Sequence, residues 1–140
     1  MRTSLFGIFF APIFAVSAFA GDGGGGGDAE ASFDTPSHNM CCHYIPAGGN
    51  GVYTTPDGSA EMSCDREQPQ YWKVSLTELG RFKIDKHPGE VPGCGNEDVL
   101  AYGETRHDGP FTCTSRTSGL TCTTNGKGFK LSKKGLQKIQ

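Results

Sequence analysis

The chain has 140 residues, with 13 basic and 15 acidic side chains, 21 glycines, 8 prolines and 6 cysteines. That length suits one domain. Hydrophobic residues make up only 35% of the chain and the longest apolar run lies at the N-terminus, which excludes a polytopic membrane protein; the near-balanced charge argues against a general nucleic-acid binder.

Residues 1–20 read as a secretory signal peptide. Arg2 supplies the positive start, residues 5–16 the apolar stretch, and Ala18-Phe19-Ala20 a small-x-small cleavage site. The apolar run is shorter than the roughly 20 residues that cross a bilayer, and Pro12 would disturb a spanning helix. No cysteine follows the cleavage position to carry a lipid. The expectation is an exported chain, periplasmic or secreted, with no membrane span after cleavage and an oxidising surrounding.

Residues 21–31 include Gly23-Gly24-Gly25-Gly26-Gly27 and read as a flexible linker, because such a run has no side chains to bury and loses much backbone entropy on ordering. A phosphate-binding loop would need a preceding strand, a following helix and usually a lysine, and none is present. Residues 32–140 then form a single domain.

Within that domain, short stretches with β character recur at close spacing. Gly51-Val52-Tyr53-Thr54 and Ala60-Glu61-Met62-Ser63-Cys64 flank Pro56-Asp57-Gly58, a strong turn signal. Tyr71-Trp72-Lys73-Val74-Ser75-Leu76 and Arg81-Phe82-Lys83-Ile84 alternate with period two. Val99-Leu100-Ala101-Tyr102, Phe111-Thr112-Cys113-Thr114, Leu120-Thr121-Cys122-Thr123 and Gly128-Phe129-Lys130-Leu131 follow, with Asn125-Gly126 placed as a tight hairpin turn. One helical candidate remains, residues 132–139, with Ser132 as N-cap and Leu136 and Ile139 on one face; Gly135 limits it to a turn or two. The fold expected is all-β, a compact disulfide-stapled sandwich or barrel of about seven or eight short strands with a short C-terminal helical turn.

Charge is unevenly divided. Residues 21–108 carry 6 basic and 15 acidic side chains, whereas residues 109–140 carry 6 basic and none acidic. Lys127, Lys130, Lys133, Lys134 and Lys138 make up most of that excess and are candidates for meeting an anionic partner. The plainer reading is a solvated tail, or one docked on the acidic remainder of the domain.

Six cysteines in an exported chain of this size imply a disulfide framework. Cys113 and Cys122 sit on adjacent candidate strands, and bridging so short a loop contributes roughly 2.5 to 3 kcal/mol in the chain-entropy model. Cys42 with Cys64 would span a hairpin in the same way, leaving Cys41 for Cys94; a bond between the adjacent Cys41 and Cys42 would be strained. Cys41 and Cys42 can exchange these roles, since neighbours on a strand face opposite ways.

His38-Asn39-Met40-Cys41-Cys42-His43 is the one constellation with possible chemistry. Two thiolates and two imidazoles are ligand types for zinc or copper, so a metal- or redox-active protein using Cys41, Cys42 and His43, with His38, is the alternative function. The spacing fits no common zinc pattern, no C-x-x-C motif is present, and an oxidising compartment consumes thiols as bridges. His87 and His107 lie in loop-like composition, and Ser115 and Ser118 lack a G-x-S-x-G context. Glu97-Asp98 lacks a calcium loop, and Tyr71-Trp72 reads as ordinary sheet composition. With no catalytic motif, the expectation is a binding module rather than an enzyme, with no cofactor.

Taken together, the motifs resemble a family of small secreted bacterial domains of unknown function. Phe33-Asp34-Thr35-Pro36-Ser37-His38-Asn39-Met40-Cys41-Cys42 is similar to its opening F-x-[ST]-P-S-x-N-[IM]-x-C, and Leu100-Ala101-Tyr102-Gly103 to its L-x-Y-G. Phe111-Thr112-Cys113-Thr114-Ser115 and Gly119-Leu120-Thr121-Cys122 resemble its closing cysteine pair, and Gly126-Lys127-Gly128-Phe129-Lys130-Leu131-Ser132 its G-H-G-F-x-L-S. The resemblance spans residues 33–132 and implies an exported, mostly β, disulfide-bonded domain with no transferable catalytic assignment. By this resemblance Cys42, Cys64, Cys94, Cys113 and Cys122 occupy family cysteine positions. One family cysteine is missing near Trp72 and Cys41 is extra, so Cys41 supplies the partner of Cys94. Lys127 stands where the family has histidine, so any role of that histidine is not carried here. The partner expected is an envelope or extracellular protein or an anionic glycan.

Overall fold

The computed structural model describes residues 29–89 and 93–140. The expected signal peptide and nearly all of the linker lie outside the described residues. Among the described residues, ten strands form two antiparallel five-stranded sheets, each a simple meander. The first sheet runs β1 (Ala31–Asp34), β2 (Met40–Ile45), β3 (Glu61–Arg66), β4 (Trp72–Thr77), β5 (Phe82–Asp85). The second holds β6 (Thr105–Asp108), β7 (Phe111–Arg116), β8 (Gly119–Thr124), β9 (Lys127–Ser132) and β10 (Gly135–Ile139), hydrogen-bonded in that order.

The period-two alternation decides which side chains each sheet buries. In the first sheet, cross-strand register aligns Phe33, Cys42, Cys64 and Val74 in one inward row and Tyr44, Met62, Leu76 and Phe82 in the next. The second sheet answers with Phe111, Cys113, Leu120, Cys122, Phe129 and Leu131, and both sets share one core. Tyr44 meets Phe111 edge-on at 6.0 Å between ring centroids, and Phe82 meets Phe129 at 6.2 Å, so the aromatic contacts run from sheet to sheet. The expected all-β, disulfide-bonded sandwich is the fold.

The differences from expectation have local causes. Residues 51–54 are loop, not strand: Gly48, Gly49 and Gly51 all take φ near +86°, and the Asn50 side chain accepts the N–H groups of Val52 and Tyr53. β3 therefore pairs with β2, a strand whose cysteine-rich run hid its alternation. Val99 makes only an isolated bridge to Asp34, and Tyr102 lies in a turn before Gly103. β6 carries no alternation signal, because Thr-Arg-His-Asp has no apolar residue, as suits an edge strand.

The helical turn expected at residues 132–139 is instead the strand β10, and the described residues contain no helix. Gly135 takes φ +148°, far from helical values. Ser132 does cap, but it caps a two-residue hairpin turn. Its hydroxyl accepts the Lys134 N–H at 3.2 Å and donates to the Gly135 carbonyl at 3.3 Å, and Leu136 then aligns with Leu131. Asn125-Gly126 forms the turn expected, with both residues at positive φ and Thr124 facing Lys127.

Gly128 is buried where β9 passes β8, and a Cβ there would sit 2.2 Å from the Cys122 carbonyl oxygen and 2.7 Å from the Thr123 methyl. The nearest obstacle is backbone, which cannot swing aside. Gly128→Ala is expected to destabilise by about 2–3 kcal/mol, read as a lowered thermal midpoint; an unchanged midpoint would mean the two strands do not approach this closely.

Candidate functional site

The cysteines pair as Cys41–Cys94, Cys42–Cys64 and Cys113–Cys122, leaving none free. The last two each join directly facing residues with Cα atoms 4.1 Å apart, the close approach of a non-hydrogen-bonded antiparallel pair. They stack against each other in the core, so that the Cys42, Cys64 and Cys122 sulfurs lie within 4.8 Å of one another. Three adjacent sulfurs resemble a metal cluster, but all are spent in disulfides and offer no thiolate. The same holds for Cys41 and Cys94 beside Asp34. The three bridges fit an oxidising, extracellular environment. No helix among the described residues is long and apolar enough to cross a membrane.

The metal or redox centre weighed at His38, Cys41, Cys42 and His43 is not assembled. Alternation sends Cys42 into the core and Cys41 to the outer face. His38, in the β1–β2 turn, hydrogen-bonds the buried Asp34 carboxylate at 2.7 Å, and His43 points outward between Ser32 and Glu30. The other loop candidates scatter too. His107 lies on β6 against Thr112, His87 stays in an exposed loop, Ser115 is buried, and Ser118 meets Lys130. Asp98 is taken up by an ion pair with Arg106.

The basic C-terminal residues separate into two groups. Lys130, Lys133 and Lys134 join Arg116 around a cleft of about 670 Å3, at the end of the second sheet where the β7–β8 and β9–β10 turns lie side by side. Thr117, Ser118 and Ser132 supply hydroxyls, and Lys130 Nζ donates to Ser118 Oγ at 3.1 Å. Tyr102 and Met40 close the cleft, and no carboxylate of the described residues lines it. Lys127 lies at the far end of β9 beside Gly80, and Lys138 stands over the Phe82 ring at 4.4 Å. Sequence reasoning found the lysines but missed Arg116, which joins them only when the two hairpins align.

A second concavity, of about 1070 Å3, covers the outer face of the first sheet. Its floor includes Ser32, His43, Ser63, Ser75 and Lys83, a single cross-strand row, and the neighbouring Asp65 and Lys73. One wall comes from the segment between β2 and β3, through Tyr53 and Pro56; the other includes Pro88, Gly93 and Asn96. The Cys41–Cys94 bridge ties the second wall to β2, helped by Asn96 Nδ2 donating to Asp34 at 2.6 Å. Two tyrosines from the flanking loops bond carboxylates of β3: Tyr53 to Glu61 at 3.2 Å and Tyr71 to Asp65. Burial, followed by these carboxylates, holds both phenols above their ordinary pKa.

At the β1 edge of this groove, Ser32 Oγ lies 2.5 Å from His43 Nδ1, and His43 Nε2 lies 2.6 Å from Glu30 Oε1. Asn50 Nδ2 donates to the other Glu30 oxygen at 3.0 Å. No sequence signal marked this set, because Ser32 and His43 become neighbours only through the β1–β2 register.

No family model, no curated protein and no solved structure matches this chain.

Proposed function

We propose that this is an exported binding module whose basic cleft takes an anionic glycan outside the cytoplasm. The observation that carries the reading is the convergence of Arg116, Lys130, Lys133 and Lys134 with the hydroxyls of Ser37, Tyr102, Thr117, Ser118 and Ser132 on one cleft that no described carboxylate lines. Fixed cations recognise sulfate or carboxylate groups, and the hydroxyls suit the sugar between them. The cleft volume falls within the roughly 300–1,000 Å3 of small-ligand sites. A protein partner is less favoured, since Tyr102 is the one exposed large apolar residue of the described chain at the cleft, while Val52, Tyr53, Leu79, Ile84 and Val99 lie away from it and form no cluster of anchors beside it. The signal-peptide grammar and the resemblance to secreted bacterial domains support export.

The test is the affinity for a heparin-derived oligosaccharide and for its desulfated counterpart at two salt concentrations. Raising salt from about 0.1 M to about 1 M shortens the screening length from ~10 to ~3 Å, and binding of the sulfated ligand is expected to fall steeply. Equal binding of the desulfated ligand, or salt-independent affinity, would remove the cleft from the account.

A further inference from the structure

We propose that Ser32 is the nucleophile of an acyl-transfer site, with His43 as its base, and that the site hydrolyses carboxylic esters of polar alcohols held in the groove on the first sheet. This goes beyond glycan binding in the basic cleft and does not rest on it.

The polarity of the set follows from its ends. The Glu30 carboxylate only accepts, so the His43 Nε2 facing it at 2.6 Å carries the proton. In the neutral imidazole Nδ1 is then a lone-pair acceptor, and the Ser32 hydroxyl 2.5 Å away donates to it. Asn50 fixes the second carboxylate oxygen. Nucleophile, base and an orienting carboxylate thus stand in order, the arrangement that activates a serine. Packing supports it as well: Ser32 and His43 face each other across β1 and β2, while Glu30 lies two residues before Ser32 on the same side of the chain.

The backbone supplies an oxyanion donor. Asp34 N–H points away from β2, since it donates to the Asp98 carbonyl at 2.8 Å. Two residues earlier, Ser32 N–H lies on that same outer edge by the alternation of an antiparallel strand. It is placed to meet negative charge forming on an acyl oxygen bound at Ser32 Oγ. The groove floor, with Ser63, Ser75 and Lys73, and the Tyr53–Glu61 pair beside it, favour a polar leaving alcohol over a long apolar one.

The steps balance. Ser32 Oγ bonds the acyl carbon as its proton passes to His43 Nδ1. The ester C–O bond then breaks and the departing alkoxide takes that proton. Water attacks the Ser32 ester, giving a proton to Nδ1, and collapse returns the proton to Ser32 Oγ. The net reaction is ester plus water to acid plus alcohol.

The experiment uses the full chain with its disulfides intact, a fluorophosphonate probe mapped by mass spectrometry, and p-nitrophenyl acetate as substrate. The expected result is a single adduct at Ser32, with kcat/KM falling about 100-fold or more in Ser32→Ala and His43→Gln. Glu30→Gln is expected to lower kcat with KM unchanged, the mark of a residue that positions the base. Circular dichroism checks that the variants fold, and labelling of the unmodified protein needs no variant. No adduct at Ser32, or hydrolysis equal to wild type in folded Ser32→Ala, would overturn the proposal.

Discussion

Replacing Cys42, Cys64, Cys113 and Cys122 together by alanine is expected to leave a chain that does not fold at about 37 °C. The two bridges close separations of 22 and 9 residues, and the loop-entropy model assigns about 3 kcal/mol to each. Their sulfurs also fill the centre of the core, where alanine leaves space lined by Val74, Leu120 and other buried groups that cannot fully collapse. A combined loss of about 6 kcal/mol or more is set against the roughly 5–15 kcal/mol that holds a domain of this size. Each single-bridge variant, Cys42→Ala/Cys64→Ala or Cys113→Ala/Cys122→Ala, should fold with a loss of about 2–5 kcal/mol, measured by urea unfolding without reductant. A quadruple variant melting within a few degrees of wild type would mean the core does not depend on the stacked bridges.

Arg66→Ala is expected to cost about 3–5 kcal/mol. Arg66 points inward from β3 in the row of Met40 and Trp72 and is only 2% exposed. Burial penalises its charge and lowers its pKa. Its fork compensates through carbonyls: Nη1 donates to the Ser132 oxygen at 2.7 Å, while Nε and Nη2 donate to the Gln70 oxygen at 3.2 and 3.1 Å. The guanidinium also lies 3.9 Å from the centre of the Trp72 ring. Truncation leaves both carbonyls without these donors and removes the stacking, each a separate loss. Arg66→Lys keeps the charge but not the fork, and should recover less than half of the deficit. Because Ser132 anchors the turn that carries Lys133 and Lys134, Arg66→Ala should also weaken glycan binding under conditions where the variant remains folded. Unfolding by urea within about 1 kcal/mol of wild type would show that the bond across the sheets is dispensable.

The sequence carried the parts of the fold written as alternation and turn chemistry. Val74 and Leu76, Phe129 and Leu131, Pro56-Asp57-Gly58 and Asn125-Gly126 declare themselves through spacing of two or through residues suited to positive φ. Elements whose identity is tertiary were hidden. β6 is polar and charged throughout, and β10 follows Ser132, the last residue of β9, whose turn-closing hydroxyl mimics a helix N-cap. Residues 51–54 look like a strand until the glycines and Asn50 bend them. The same divide holds at the sites. The lysine excess was visible as charge, but its division into a cleft group and two distant residues depends on which hairpin ends meet. Ser32, His43 and Glu30 carry no motif, because their juxtaposition belongs to strand register rather than to sequence spacing.

Paired charge reversals, Lys133→Glu and Lys127→Glu, compared for affinity to one sulfated oligosaccharide at about 0.15 M salt, test the glycan reading most directly. Both change the net charge equally, but Lys133 lines the cleft, whereas Lys127 is five strand positions, about 17 Å, from Ser132, beyond the ~8 Å screening length. Reversing a cation about 4 Å from a ligand charge changes the interaction by roughly 2 kcal/mol even in a water-like dielectric. Lys133→Glu is therefore expected to weaken binding by more than about tenfold, and Lys127→Glu by less than about twofold. Equal losses in the two variants would show that bulk charge, not the cleft, attracts the ligand, and would contradict the assignment of the site.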